Sequence, residues 1–178
     1  MHITTQRLAL RELRASDLDG LFALFGDAVY RQFEGGPLSR EETRAELEKF
    51  IGWGQAQPRT RYAMAVVVPP DDVMMGTIHL RQLNDDIREW EIGWGMNRAC
   101  WGQGYAPEAA REMLRFAFGE LKAHRVTAFC HADNAASVRV MEKIGLRREG
   151  RLKQVRWLNG QWWDEYVYAM VEEDFISV

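Results

Sequence analysis

Hydrophobic and polar residues change period several times along this chain, and each change marks an element. Residues 7–14 alternate, with Leu8 and Leu10 on one side, and predict a first β-strand. Ser16 stands where a helix cap belongs, ahead of Leu18, Leu21, Phe22, Leu24 and Phe25 at helical spacing. Gly35, Gly36 and Pro37 interrupt the chain, and Ser39 with Glu42 forms a capping box for a second helix carrying Leu47, Phe50 and Ile51. Residues 61–68, 73–82 and 87–96 read as an antiparallel meander, divided by Pro69-Pro70-Asp71-Asp72 and by Asn84-Asp85-Asp86. A long helix ends at Gly119 and a strand follows at 126–131. Asn134 opens a further helix with Val140, Met141 and Ile144, which Gly145 stops. Two last strands flank Asn159-Gly160, the strongest short hairpin signal in the sequence. The order β-α-α-β-β-β-α-β-α-β-β predicts a mixed α/β fold, with a parallel strand-helix-strand crossover between residues 87 and 131.

The stretch 89–110, E-W-E-I-G-W-G-M-N-R-A-C-W-G-Q-G-Y-A-P-E-A-A, organises the rest. It alternates like a strand and then turns through Gly102 and Gly104 on either side of Gln103. Pro107 suits a first helical position, and Ala106, Ala110, Met113, Leu114, Ala117 and Phe118 continue at helical spacing. A strand that feeds a glycine loop and a helix N-terminus aims several backbone N–H groups one way, where the helix dipole adds positive charge. Such a site suits a phosphate or pyrophosphate. Glycines ahead of a helix also make plain tight turns, so the pattern alone leaves both readings open. Two other phosphate loops are excluded: there is no G-x-x-x-x-G-K-[ST], and the third glycine of a dinucleotide fingerprint is missing.

Composition narrows the class. A chain of 178 residues with 47% hydrophobic and 28% charged residues fits one globular domain, 1–178, with a sizeable core. A net charge of −3 without a basic stripe argues against nucleic acid as the partner. Cys100 and Cys130 have no metal-type spacing, and Cys100 reads as small apolar packing because no base adjoins it in sequence. The four histidines likewise lack ligand spacing and read as structural or exposed; no metal is expected. M-H-I-T-T-Q-R-L lacks the apolar core of a signal peptide, and no apolar run approaches the ~20 residues of a membrane span. A cytoplasmic protein without a membrane partner is expected.

The element order, together with W-G-Q-G-Y-A-P-E-A and N-A-A-S-V-R-V-M-E-K-I-G-L-R-R-E-G, resembles the GNAT superfamily of acetyl-CoA-dependent N-acetyltransferases. Within it the chain is similar to the branch of RimJ/RimL-type ribosomal-protein N-terminal acetyltransferases. The resemblance implies a central, mostly antiparallel twisted sheet of about seven strands, with a splayed parallel pair in the middle and helices on both faces. It implies acetyl-CoA as co-substrate, with its pyrophosphate at Trp101, Gly102, Gln103, Gly104, Tyr105 and Ala106 and its pantetheine arm along the backbone at Trp94 and Met96. Ala99 replaces the first polar residue of the family's loop, with Arg98 one residue early. Asn134 resembles the residue that hydrogen-bonds the pantetheine arm, and Ser137 the hydroxyl near the thioester sulfur; from the residues alone they are an N-cap and a first-turn serine.

Acetyl transfer needs a neutral amine, and an alkyl amine of pKa ~10.4 is neutral in only about one part in a thousand at pH 7. Glu91 is the candidate base: it matches the E-I-G-W glutamate of several GNAT enzymes and shares a strand face with Glu89, where two close carboxylates would raise one pKa. Both also read as surface strand residues. Many family members carry a tyrosine acid one turn after the serine, where this chain has Met141, so either Ser137 or water protonates the leaving sulfur, or the thiolate, of pKa ~8.5, leaves unassisted. Glu89, Trp162, Asp164 and Glu165 are candidates to hold a cationic amine, through carboxylates and an aromatic wall, although Asp164 and Glu165 read equally as hairpin surface. The acceptor expected is a primary amine, either a protein N-terminus or a small molecule, attacked directly in a ternary complex. The alternative is a non-catalytic acetyl-CoA-binding regulatory domain. The branch admits a homodimer, which no sequence feature requires.

Overall fold

The computed structural model describes residues 1–176. Eight strands form one sheet: β1 (His2–Thr4), β2 (Ala9–Glu12), β3 (Arg61–Val67), β4 (Met74–Asn84), β5 (Glu89–Met96), β6 (Arg125–His131), β7 (Arg147–Leu158) and β8 (Gln161–Val171). The helices are α1 (Leu18–Phe25), α2 (Arg40–Gln55), α3 (Tyr105–Gly119), α4 (Ala135–Lys143) and α5 (Glu172–Ile176). The strand order is β1-β2-β3-β4-β5-β6-β8-β7, and every pair is antiparallel except β5 with β6. The mixed α/β expectation holds, with one strand more than expected. That strand, β1, is too short to show a period, and it pairs Thr4 with Ala9 across a tight turn.

Two apolar layers hold the helices on opposite faces. Leu8, Leu10, Met64, Val66, Ile78, Leu80, Trp90 and Ile92 face α3 and α4, while Ala9, Ala63, Ala65, Val67 and Met74 face α1 and α2. A central strand covered on both sides has no polar face, which is why 63–67 is a continuous apolar run rather than an alternating one. From α3, Ala109, Ala110, Met113, Leu114 and Ala117 are fully buried. Burying a side chain the size of Leu114 contributes roughly 1.5–3 kcal/mol.

Local signals placed most boundaries. Ser39 accepts from the Glu42 N–H and Glu42 accepts from the Ser39 N–H, the predicted capping box of α2. Asn159 and Gly160 both have positive φ, as a two-residue hairpin turn with the strand twist requires. Two starts differ. Ser16 does not cap α1; a 3₁₀ turn at Ala15–Asp17 precedes it, and the buried Asp17 carboxylate accepts from the Arg14 N–H (2.9 Å) and from both terminal nitrogens of Arg11 (2.8 and 2.7 Å). The α3 helix starts at Tyr105, with Gly104 as its cap, so Pro107 lies third in the helix. Pro107 still falls in the first turn, where an N–H has no intrahelical partner to lose.

One feature of the sheet positions the site. The parallel pairing of β5 and β6 covers only Glu89–Glu91 against Arg125–Thr127 and then stops. Both strands run on, β5 to Met96 and β6 to His131, without pairing to each other. A gap therefore opens at their carboxyl ends, where ligands of such crossovers sit.

Candidate active site

A groove of 1270 Å³ runs through this gap from one sheet face to the other. On the α3 side it is lined by Trp94, Met96, Trp101, Gly102, Gly104, Tyr105, Ala106, Asn134 and Ser137. On the α1–α2 side it is lined by Tyr30, Phe33, His79, Arg81, Glu91, Phe129, His131, Arg156 and Glu165.

The glycine loop supplies the first wall. Gly102 and Gly104 have φ of 76° and 79°, a region that side chains avoid, and Gly104 hands the chain directly into α3. A Cβ on Gly102 would touch nothing within 4 Å, and Gly102 and Gly104 both line the groove. The donor set fits an anion: first-turn N–H groups without intrahelical partners, at the positive end of a fifteen-residue helix. The loop is braced from behind. Arg7 donates to the Gln103 carbonyl (3.0 Å) and pairs with Glu108 (2.6 Å) while lying over the Tyr105 ring. Burial pushes the Glu108 carboxyl up, but hydrogen bonds from Thr5 and Arg7 outweigh it and hold the group below the usual range.

Trp101 donates its indole N–H to the Met96 carbonyl (2.7 Å), folding the loop back on the end of β5. That carbonyl keeps one lone pair for a ligand. Gln103 does not line the groove; its side chain reaches back to the Ala99 carbonyl (3.3 Å). Arg98 also turns away, toward Asp27 (3.9 Å). Asn134 caps α4, its Oδ1 accepting from the Ser137 N–H (3.0 Å), which leaves its amide N–H groups for the groove. Met141, in the position of the family's tyrosine, is fully buried in the core and touches no part of the groove.

The second wall comes from separate segments. Glu91, Gly93 and Gly95 share one face of β5 by alternation. The glycines leave that face bare, and other residues fill it: a Cβ on Gly93 would lie 2.3 Å from His79 Nε2, and one on Gly95 would lie 2.1 Å from the Tyr30 hydroxyl. His79 comes from β4, and Tyr30 from the 3₁₀ turn Tyr30–Phe33 between α1 and α2. Burial keeps the His79 imidazole below its ordinary range, against the pull of the Glu91 carboxylate, and raises the Tyr30 phenol. Arg81, across the β4–β5 ladder from Glu91, donates to its carboxylate.

Not every expected residue reaches the groove. Glu89 lies on the Glu91 face but is held by Arg125 (3.0 Å), so the two carboxylates have separate cations and do not form a close pair. Asp164 lies outside the groove, held by Arg151 (2.6 Å) and the Gln154 N–H (2.8 Å). Trp162 sits exposed beside the hairpin turn against Trp157, and also outside it. Their local patterns are genuine, but the hairpin points them to its own surface. Cys100 and Cys130 are buried on the lining of the groove, and burial raises the Cys100 thiol and pushes Cys130 up to about 11, away from the thiolate. Tyr30, His79 and His131 were not singled out by the sequence. The bare face of E-I-G-W-G was the available signal, since a strand face without side chains in a folded core must be filled from elsewhere.

Among the described residues, no helix is long and apolar enough to cross a membrane. Residues 7–147 match the family described as "Acetyltransferase (GNAT) domain". An uncharacterized N-acetyltransferase of Bacillus subtilis (strain 168), YnaD, is 35% identical over 98% of this chain and 99% of its own length. The solved structure of a GNAT-family acetyltransferase from Bacillus anthracis is 33% identical and superposes with a TM-score of 0.86, covering 97% of this chain and 99% of that one. RimL, a ribosomal L7/L12 α-N-protein acetyltransferase solved with coenzyme A, shares the fold at 23% identity with a TM-score of 0.84, over 96% of this chain and 98% of that one. With a family match across most of its length, and on a sheet whose one parallel pair parts beside a glycine-capped helix, this chain belongs to the GNAT acetyltransferases.

Proposed function

We propose that the protein transfers acetyl from acetyl-CoA to a primary amine by direct attack in a ternary complex. The observation that carries this reading is the groove itself: it joins an anion-ready helix terminus on one sheet face to a carboxylate, Glu91, on the other. Acetyl-CoA supplies the activated acetyl group. The amides of 102–106 would hold its pyrophosphate, and the unpaired edge of β5 near Trp94 and Met96, with the Asn134 side chain, would hold its pantetheine arm. Glu91, oriented by Arg81, takes the proton of the incoming amine directly or through water. The amine nitrogen then bonds to the acetyl carbon as the carbon–sulfur bond breaks. Ser137, in the first turn of α4, lines the groove, and in this reading its hydroxyl, or a water, passes the second proton of the amine to the departing thiolate, which leaves as CoA thiol.

RimL, with the same fold, acts on a protein α-amine, which makes a protein N-terminus one acceptor class; small amines are the other. An assay of free CoA thiol across an amine panel tests the reading. Glu91→Gln should lower turnover about a hundredfold while the acetyl-CoA-dependent rise in Tm stays intact. Wild-type turnover in that variant would remove Glu91 from the chemistry. Acetyl-CoA binding without thiol release from any amine would favour a regulatory domain instead.

A further inference from the structure

His131 closes β6 on the same sheet face as Phe129, opposite Glu165 of β8 in the ladder. It is 6% exposed, and it lines the acceptor side of the groove. Its Nδ1 accepts from the Asp133 backbone N–H (3.0 Å), and a backbone amide can only donate. The ring of this neutral imidazole therefore carries its proton on Nε2. That nitrogen is buried and has no hydrogen-bond partner among the described residues. Phe33 stacks on the ring at 4.7 Å and Trp163 meets it edge-on at 4.0 Å, and a π face is at most a weak substitute for an oxygen acceptor. Buried donors are almost always paired, so an orphan of this kind in a substrate groove calls for a partner outside the chain.

We propose that His131 is an acceptor-positioning residue: its Nε2–H donates to an oxygen carried by the amine acceptor, a carbonyl or hydroxyl close to the reacting nitrogen. The inference rests on the acetyltransferase reading and narrows its substrate to oxygen-bearing amines, as against bare polyamines. Of the four carboxylates on the groove among the described residues, the sheet-borne Glu91 and Glu165 are held by Arg81 and Arg156, while Glu34 and Asp133 are exposed, so the orphaned Nε2–H and not the charge of the basin carries the inference. Phe33, which also lines the groove, covers one face of the imidazole and leaves the ring edge, where an in-plane N–H donates, outside the stack.

The test uses the full chain with saturating acetyl-CoA and two acceptors that share the CH3–CH(NH2) unit, alaninamide and 2-aminobutane, with every rate referred to the concentration of neutral amine, alongside spermidine and a peptide with a free α-amine. Wild-type protein should prefer alaninamide in kcat/KM, chiefly through KM. His131→Phe should cut kcat/KM for alaninamide about tenfold and leave 2-aminobutane within about twofold. His131→Gln, whose amide N–H restores a donor, should recover part of the loss; an unchanged Tm shift with acetyl-CoA certifies each variant as folded. Equal losses on both amines, or no wild-type preference, overturn the proposal. A second readout needs no variant: the Nε2–H proton resonance of His131 should move downfield with alaninamide and not with 2-aminobutane, and a static resonance overturns it. Thiol release from spermidine alone sinks this inference and spares the acetyltransferase reading, whereas release from no amine sinks both.

Discussion

The two walls of the groove are made in different ways. The α3 wall comes largely from one continuous stretch, in which β5, the glycine loop and the start of α3 follow each other within residues 89–110. The opposite wall is assembled from β4, the turn between α1 and α2, the end of β6 and the β7–β8 hairpin, segments that meet only in the finished fold. The first wall is mostly backbone amides and glycines; the second is side chains packed against a bare strand face. A backbone site tolerates many sequences around it but few at its turning points. A side-chain site depends on neighbours that the local sequence does not name.

Substitutions at equivalent depth in the two walls should break them differently. The largest effect is expected from Gly104→Asp, which puts an anion and a Cβ at the left-handed cap of α3. Acetyl-CoA affinity should fall at least about a hundredfold, because a like charge meets the pyrophosphate where the helix dipole had favoured it. Isothermal titration checks this, and unchanged affinity would remove the loop from the cofactor site. Next is Gly95→Val, on the second wall. With the Tyr30 hydroxyl 2.1 Å from the added Cβ, the turn must shift, at roughly 1–3 kcal/mol of stability. The KM for the amine should rise about tenfold while the acetyl-CoA affinity stays close to wild type. Equal damage to both ligands would show that the walls are not separable. The smallest effect belongs to Asn134→Ala, which removes the cap of α4 and costs about 1 kcal/mol by denaturant unfolding. Acetyl-CoA affinity should fall severalfold as well, as the proposed contact of the Asn134 amide with the pantetheine arm requires; unchanged affinity would leave the residue a helix cap alone.

What could be read from the sequence follows the same division. Gly102, Gly104 and the helix after them were legible because turn chemistry and helical period are local, and so was the Asn159-Gly160 hairpin. Leu8 and Leu10 announced a strand, though not that Ala9 on its other face was covered as well, since burial on two sides is decided by helices far away in the chain. Glu91 was found from its strand face and its family motif. Its true neighbour was not: Glu89, two residues away, is claimed by Arg125, while Arg81 arrives across the ladder. Asp164 and Trp162 looked like acceptor residues because a carboxylate and an aromatic wall suit a cationic amine, yet strand alternation alone does not say which hairpin face meets the groove. His131 was indistinguishable from a core histidine until the orphaned nitrogen could be seen.

Backbone amide hydrogen exchange, measured with and without acetyl-CoA, tests the central claim most directly. The account predicts new protection concentrated at residues 102–106 and, within 92–96, at the amides on the open edge of β5 that faces β6, with α1 and α2 little changed. Protection confined to the β7–β8 hairpin, or none at the glycine loop under saturating acetyl-CoA, would contradict it.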